Sequence, residues 1–397
     1  MLEQDLFQII NRKNKLFESD INDLESELSN IIKNSSFLII GAGGSIGQAV
    51  TKEISLRVPK TLHCIDVSEN SLVELVRDLR SSDLMLKDFK TFNIDIGSKL
   101  FEDFYEQAPR YDYVLNLSAL KHVRSEKDNF SLFRLVNTNI FNTVKSVDLA
   151  IKYNTKKYFC VSTDKAANPV NFMGASKKIM ELFLSRLGDN ISISSARFAN
   201  VAFSNGSLLE GFKYRIEKKQ PLAAPTDVKR YFVSSKEAGE LCMLSALLGK
   251  NSEIFFPKLS EEFNLISLSD VGSRYLNYLG FEPYLCNSED EAKNSDVDKL
   301  ISEKKWPCYF SASNTSGEKK FEEFYLDDED VNLSKFNDIG VITNKVDIDS
   351  ESLKNFQDFF KVTKPSETNK NELYKVFSLL TENFEHLDTG KNLDDKM

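Results

Sequence analysis

Apolar residues recur at helical spacing over the first 34 positions: Leu6, Ile9 and Ile10, then Leu24, Leu28, Ile31 and Ile32. This spacing predicts one or two helices ahead of the main fold, an arm for packing or self-association. From Phe37 the pattern changes. The short run FLII leads into GAGGSIG and an amphipathic stretch to about Leu56; TLHCIDV follows, then the helical SLVELVRDLR. Further short apolar runs stand at FNIDI, YVLNLSA and KYFCVST, each followed by a helical pattern. Short buried strands alternating with helices predict an α/β fold, a Rossmann-type doubly wound parallel sheet. Right-handed crossovers leave few topologies open.

After about Asn200 the alternation loosens, and RYFVSSKEAGELCMLSALLG reads as a helix returning to the main body. Residues 285–300 are strongly polar and predict a loop or exposed helix. The last 70 or so residues read as an acidic, solvated helical face ending in the tail GKNLDDKM. Trp306-Pro307 is expected in a core.

Composition narrows the classes. The chain has 397 residues, 41% of them apolar, with 30 Phe and 13 Tyr to fill a core. Its net charge of -9 argues against nucleic-acid binding, which needs a basic footprint. Five scattered cysteines without a C-x-x-C pair, and only three histidines, argue against a metal site and suit a reducing compartment. The polar N-terminus lacks a signal-peptide core, and no apolar run approaches the roughly 20 residues that span a bilayer. The expectation is a cytoplasmic protein without a membrane partner.

The glycine run carries the first chemistry. Gly41, Gly43, Gly44 and Gly47, with Ser45 and Ile46 between, follow a strand and open a helix. Gly41 suits a tight turn, Gly43 and Gly44 let a diphosphate reach backbone N–H groups, and Gly47 lets helix and strand pack closely. The helix N-terminus then offers free donors to the anion. Asp66 ends the next strand, nineteen residues beyond Gly47, where a carboxylate can accept from an adenosine ribose. No Lys or Arg lies between Asp66 and Leu75 to meet a 2′-phosphate, which favours NAD, with NADP possible. Asp95 and Ile96, after the third strand, fall near the adenine. The expected organisation is an arm at 1–34 and an NAD-binding domain at 35–200, with 230–262 returning to it. A smaller substrate-binding domain follows at 201–229 and 263–330, and an acidic helical extension at 331–397.

YFCVSTDK runs a strand into three reactive side chains, Thr163, Asp164 and Lys165, at the carboxyl edge where open α/β sheets bind ligands. A helix begins near Asn171, and Met173 and Lys177 share one of its faces. These segments resemble the extended, nucleotide-sugar branch of the short-chain dehydrogenase/reductase superfamily, where a Tyr-x-x-x-Lys pair serves the nicotinamide. VSTDKAANPVNFMGASK is more similar still to UDP-N-acetylglucosamine 4,6-dehydratases of the polysaccharide-biosynthesis group. GAGGSIG, LNLSALKHVRSE, VNTNIFNT, RFANVAFSNGS, KRYFVSSKEAGEL and SGEKKFEE resemble that group too, over about Phe37 to Tyr325.

The resemblance implies oxidation at C4 of a UDP-sugar, elimination of water across C5 and C6, and return of the hydride to C6. The product would be a 4-keto-6-deoxy sugar for surface polysaccharide or lipopolysaccharide. Asp164 would be the acid at the 6-oxygen, held protonated by burial. Lys165 would be the base at C5, made neutral by burial or nearby positive charge. Thr163 would bond the 4-oxygen and Lys177 the nicotinamide ribose. Met173 replaces the superfamily's Tyr and cannot move a proton. A Met-bearing subset of these dehydratases retains configuration at C5, so retention is expected. The acceptor of the 4-hydroxyl proton stays open between Asp164 and a path from Thr163 through water to Lys177.

Two positions depart from the pattern near the expected UDP contact: Ala199 for Gly and Glu210 for Pro. Lys121 is placed to contact substrate or cofactor, with His122 beside it structural. Arg197, Asn200, Ser207 and Arg230 are placed for a diphosphate, each with a surface salt bridge as the alternative. Gly317-Glu318-Lys319 resembles a segment closing the sugar domain. Relatives imply a homo-oligomer. A nucleotide-sugar 4-epimerase and a non-catalytic NAD-binding homologue are the competing readings.

Overall fold

The computed structural model describes residues 3–82, 84–259, 265–314, 317, 319, 321–343, 348–382 and 384–386. Two helices lead in, α1 (Glu3–Ile9) and α2 (Glu18–Lys33). The strands and helices then alternate: β1 (Ser36–Ile40), α3 (Ser45–Ser55), β2 (Thr61–Asp66), α4 (Glu69–Arg80), β3 (Phe89–Asn93), α5 (Lys99–Gln107) and β4 (Tyr113–Asn116). The second half supplies α6 (Asn129–Val136), α7 (Asn142–Lys152), β5 (Lys157–Thr163), α8 (Phe172–Leu187) and β6 (Ser192–Phe198). The strands order as β6-β5-β4-β1-β2-β3, all parallel. This is the Rossmann-type doubly wound sheet. Its order reverses between β1 and β4, where such sheets open a crevice.

Helices cover both faces, so β1 is buried along its whole length. Phe37 and Ile39 enter one core, and Leu38 and Ile40 the other. Beyond β6 the sheet continues with Ile254–Pro257, which pairs parallel to it. The returning helix α10 (Ser235–Leu248), which follows α9 (Leu208–Glu217), packs on α3 and is opened by a Ser234/Glu237 capping box. The smaller lobe holds a three-stranded parallel sheet of Glu282–Leu285, Lys305–Ser311 and Leu222–Pro225 over a core of Phe212, Val271, Leu276 and Trp306. The polar 285–300 stretch forms two short helices, Glu289–Lys293 and Val297–Ser302.

The N-terminal arm packs within the chain. Leu6, Phe7 and Ile9 of α1 join the small-lobe core, while Leu28 and Ile32 of α2 join the sheet core. Between them a buried Arg12 guanidinium clasps the Glu237 carboxylate at 2.5 Å.

The acidic C-terminal extension differs most from expectation. Val331–Asn332 and Ile339–Ile342 add two antiparallel strands to the sheet beyond Ile254–Pro257. The helices Ser350–Val362 and Lys370–Ser378 bury Leu353, Phe356, Leu373 and Phe377 against the core under α8. Spacing of three and four residues gathers these apolar side chains on one stripe, and the acidic majority occupies the other face. The tail GKNLDDKM lies outside the described residues.

Glu240 on α10 faces α3. Burial pushes its carboxyl up to about 7, against the pull of Lys236 and with Glu53 and Glu237 adding to the rise. The folded protein thus holds a proton there that the unfolded chain releases above its ordinary 4.5. That stability is complete below the unfolded value and falls as pH rises through the folded one. Glu240→Gln should remove this decline, a difference on the order of 3 kcal/mol between acidic and neutral pH at 1.36 kcal/mol per pH unit. Urea unfolding at several pH values measures it, and an unchanged slope in the variant would refute the assignment.

Candidate active site

The turn after β1 is built on close contacts. Gly41 adopts φ +77°, and a Cβ there would lie 2.6 Å from the Ser118 nitrogen. A Cβ on Gly47 would lie 2.0 Å from the Gly41 carbonyl oxygen, so only glycine lets α3 start this close to β1. Gly44 is different: its nearest neighbour would be 3.5 Å away, and its surroundings within the chain leave room. α3 has no side-chain N-cap, so its first N–H groups remain for an anion.

Asp66 is fixed to this turn. Its Oδ2 accepts from Gly43 N–H and its Oδ1 from Ser68 N–H, both at 2.8 Å. Asp95 and Ile96 fit their expected role poorly. Asp95 Oδ1 accepts from Gly97 N–H as a loop cap, and the Ile96 side chain is buried in the sheet core.

One cavity of about 760 Å³ opens at the carboxyl edge of the sheet. Gly44, Ser45, Ile46 and Gly47 line it from the turn. Thr163, Asp164, Lys165, Met173 and Lys177 line it from β5 and α8. Lys121, Asn200, Ser207 and Arg230 line it from the side of the small lobe. Ser45 also joins the two sides, because its Oγ accepts from Asn205 N–H at 2.9 Å.

At the end of β5, three donors converge on Asp164 Oδ1: the Thr163 hydroxyl at 2.8 Å, Lys165 N–H at 2.9 Å and the Lys165 ammonium at 3.3 Å. Lys165 Nζ also lies 3.6 Å from Glu322 Oε1, which in turn lies 3.8 Å from Arg230 Nη2. Glu322 lines the same cavity. Burial lowers the Lys165 pKa, but the charges of Asp164 and Glu322 outweigh it and the net direction is up. That direction is opposite to the fall expected of a neutral Lys165 base. Burial raises the Glu322 carboxyl, with Asp164 adding to the rise and Lys165 and Arg230 opposing it.

α8 starts at an Asn171 cap that accepts from Gly174 N–H at 2.8 Å. The Met173 N–H donates to Glu126 Oε1 at 3.1 Å, and Glu126 Oε2 meets His386 Nε2 at 3.0 Å. The C-terminal extension thus reaches the start of the helix that carries Met173 and Lys177. Burial lowers the Lys177 pKa, with Cys160 and Glu181 opposing.

On the small-lobe side, Lys121 donates to Ser204 Oγ at 3.2 Å, and burial lowers its pKa. Burial, Lys121 and Arg124 lower that of His122. Ser207 caps α9 by accepting from Glu210 N–H, and Glu210 Oε2 accepts from Gly206 N–H at 2.5 Å. Arg197 is no phosphate ligand: it is fully buried between Glu181 at 2.7 Å and Glu329 at 2.8 Å. Glu318 of the expected closing segment lies outside the described residues, while the Gly317 carbonyl accepts from Asn171 Nδ2 at 2.8 Å.

Sequence reasoning missed Glu322 and Glu126. Glu322 sits in SGEKKFEE, far along the chain from Lys165, and only its negative charge was visible there.

Residues 37–344 match the polysaccharide biosynthesis protein family, and the chain belongs to that family. It is 28% identical over 326 residues to MJ1061 of Methanocaldococcus jannaschii, described as an uncharacterized membrane protein, covering 80% of this chain and 88% of that one. Among the described residues no helix is long and apolar enough to cross a membrane. It is 32% identical over 249 residues to the probable polysaccharide biosynthesis protein EpsC of Bacillus subtilis, covering 62% of this chain and 41% of EpsC. An inverting UDP-N-acetylglucosamine 4,6-dehydratase of Campylobacter jejuni is 28% identical over 239 residues, 58% of this chain and 68% of the enzyme. Among solved structures, Pen from Bacillus thuringiensis superposes with a TM-score of 0.65 at 22% identity, covering 84% of this chain and 99% of Pen. DesIV, a dTDP-glucose 4,6-dehydratase from Streptomyces venezuelae with NAD bound, superposes with a TM-score of 0.53 at 14% identity, covering 70% of this chain and 88% of DesIV. These two likenesses concern the fold.

Gly47→Ala should abolish dinucleotide binding while leaving the sheet intact, because the added methyl drives α3 away from the turn. Calorimetric titration with NAD, alongside circular dichroism, checks this; undiminished affinity would refute the close-contact account.

Proposed function

We propose that this chain is a nucleotide-sugar 4,6-dehydratase that acts on UDP-N-acetylglucosamine with NAD as resident cofactor. The observation that carries this reading is the shared cavity, where a phosphate-binding turn faces a wall of titratable groups at the end of β5. The residues present fit the dinucleotide. Gly44 leaves room, since a Cβ there would come no nearer than 3.5 Å to the Gly41 carbonyl oxygen, and the first turn of α3 has uncapped N–H groups. Asp66 is held at the end of β2, and Val67–Leu75 carries no Lys or Arg for a 2′-phosphate. The Campylobacter relative and the cofactor bound in DesIV support the same assignment.

NAD, when bound, takes a hydride from the sugar and gives it back. The chain's own residues do the rest. The Thr163 hydroxyl orients the 4-oxygen. Lys177, its pKa lowered by burial, takes the 4-hydroxyl proton through Thr163 and water, a role that the Met173 thioether cannot fill. Lys121, Asn200, Ser207 and Arg230 hold the UDP diphosphate. An epimerase needs no acid and base beside C5 and C6, so the cluster around Lys165 favours the dehydratase. The likeness of the Met173 position to the retaining subset supports retention at C5.

Incubation with NAD and UDP-N-acetylglucosamine in deuterated water, followed by NMR, tests the reading. A 6-deoxy methyl signal with deuterium at C5 and gluco-type ring couplings is expected. Couplings of the 5-inverted sugar would overturn retention alone. A C4 epimer that keeps its 6-hydroxyl would establish the epimerase instead, and an unchanged sugar would refute both.

A further inference from the structure

The match to the family ends at residue 344, yet the chain continues into the two helices that pack beneath α8. Sealing an apolar face needs only apolar contacts. The end of this extension makes a polar one as well, at the start of α8. Met173 is the second residue of that helix, and its N–H is among the first four, which have no partner within the helix. Glu126 supplies the partner. It is 5% exposed, and its Oε1 accepts from the Met173 N–H at 3.1 Å. Its Oε2 lies 3.0 Å from His386 Nε2, so the extension fixes the plane of the carboxyl group. The His386 ring sits 4.8 Å from that of Phe172, which Phe377 and Phe384 meet at 5.0 and 5.3 Å. On the other side the Asn171 cap is tied to the Gly317 carbonyl. Asn171, Phe172 and Met173 are thus each gripped by a segment distant in sequence. Lys177 stands one turn beyond Met173 on the same face and lines the cavity, so the seat of the first turn decides where its side chain lies.

Resting on the dehydratase reading above, we propose that the C-terminal extension belongs to the active-site scaffold, and that Glu126 and His386 are positioning residues that seat the first turn of α8 and with it Met173 and Lys177. Neither residue lines the cavity, so both act through the helix. Glu126 does the direct work at the Met173 N–H, and a carboxyl group there also suits the positive end of the helix dipole. His386 acts one step further out, by holding Glu126. The consequence is directional. Lys177 is assigned to the nicotinamide ribose and the 4-hydroxyl proton, so a displaced α8 weakens NAD binding and slows turnover. The diphosphate groups Asn200, Ser207 and Arg230 stand on other elements, β6 to α9 and beyond, and keep their hold on the sugar nucleotide.

The test is a double-mutant cycle in the full chain, with His386→Ala, Glu126→Ala and the pair. NAD affinity is measured by calorimetric titration without sugar, kcat and KM with UDP-N-acetylglucosamine, and Tm by circular dichroism. His386→Ala, close to the end of the chain, leaves the fold intact even where Glu126→Ala does not. In each single variant the NAD Kd should rise roughly tenfold and kcat should fall on the order of 10- to 100-fold, with KM for the sugar nucleotide kept. Glu126→Gln retains an acceptor for the Met173 N–H and should recover most of the loss. The pair should be no worse than Glu126→Ala alone, because His386 works through Glu126. A lowered Tm with native kcat and NAD affinity would overturn the proposal and make the contact purely structural. Additive losses in the pair would overturn it too, as would a rise in KM alone, which would put the effect on the loop that carries Lys121. If the native protein forms no product, the dehydratase reading falls, while the NAD affinities of the four proteins still decide the positioning role.

Discussion

The in-register parallel pairing of β1 with β4, and of β4 with β5, is the constraint on which the site depends. Ile40 pairs with Asn116, and Asn116 with Cys160, so the strands finish along one edge. β1 gives way there to the glycine turn, and β5 runs on to Thr163 and the reactive residues after it. The order reversal between β1 and β4 opens the crevice between them. A one-residue slip in any pair would exchange the two faces of a strand buried on both sides and break the sheet cores together. Site geometry and fold stability therefore rest on the same contacts.

Burying charge around such a crevice requires partners. Lys165 is half-buried and Arg230 buried against the cavity, and Glu322 stands between them while Asp164 completes the group. Two elements far apart in sequence meet here, the end of β5 and the segment around Glu322. Each side alone would leave an uncompensated charge. The arrangement gives the wall its alternation of cation and carboxylate.

The parallel sheet was legible because fully buried strands read as short apolar runs separated by helical periods. The glycine turn was legible because the close contacts at Gly41 and Gly47 leave no room for a side chain. Thr163, Asp164, Lys165, Met173 and Lys177 lie near one another in the chain, so a strand-loop-helix reading could group them, and they line one cavity. The electrostatics were not legible. Lys165 was expected to be neutral from its burial, but its charge state depends on Glu322, which only tertiary folding brings near. Arg197 failed for a related reason: a strand-end arginine looks the same whether it faces a phosphate or two buried glutamates. The C-terminal helices were hidden by averaging, because acidic composition masked the stripe of Leu353, Phe356, Leu373 and Phe377. That stripe packs beneath α8 and brings His386 to Glu126, at the start of the helix bearing Met173.

A crystal structure with NADH and UDP-N-acetylglucosamine, a pair that cannot begin the oxidation, tests the central claim most directly. The account predicts the dinucleotide diphosphate over the N–H groups of Ser45 and Ile46, the adenosine ribose on Asp66, and the C4–C6 edge of the sugar between Lys177 and the Lys165–Glu322 pair. A sugar bound with C5 and C6 turned away from Lys165 and Glu322, or a dinucleotide seated elsewhere, would contradict it.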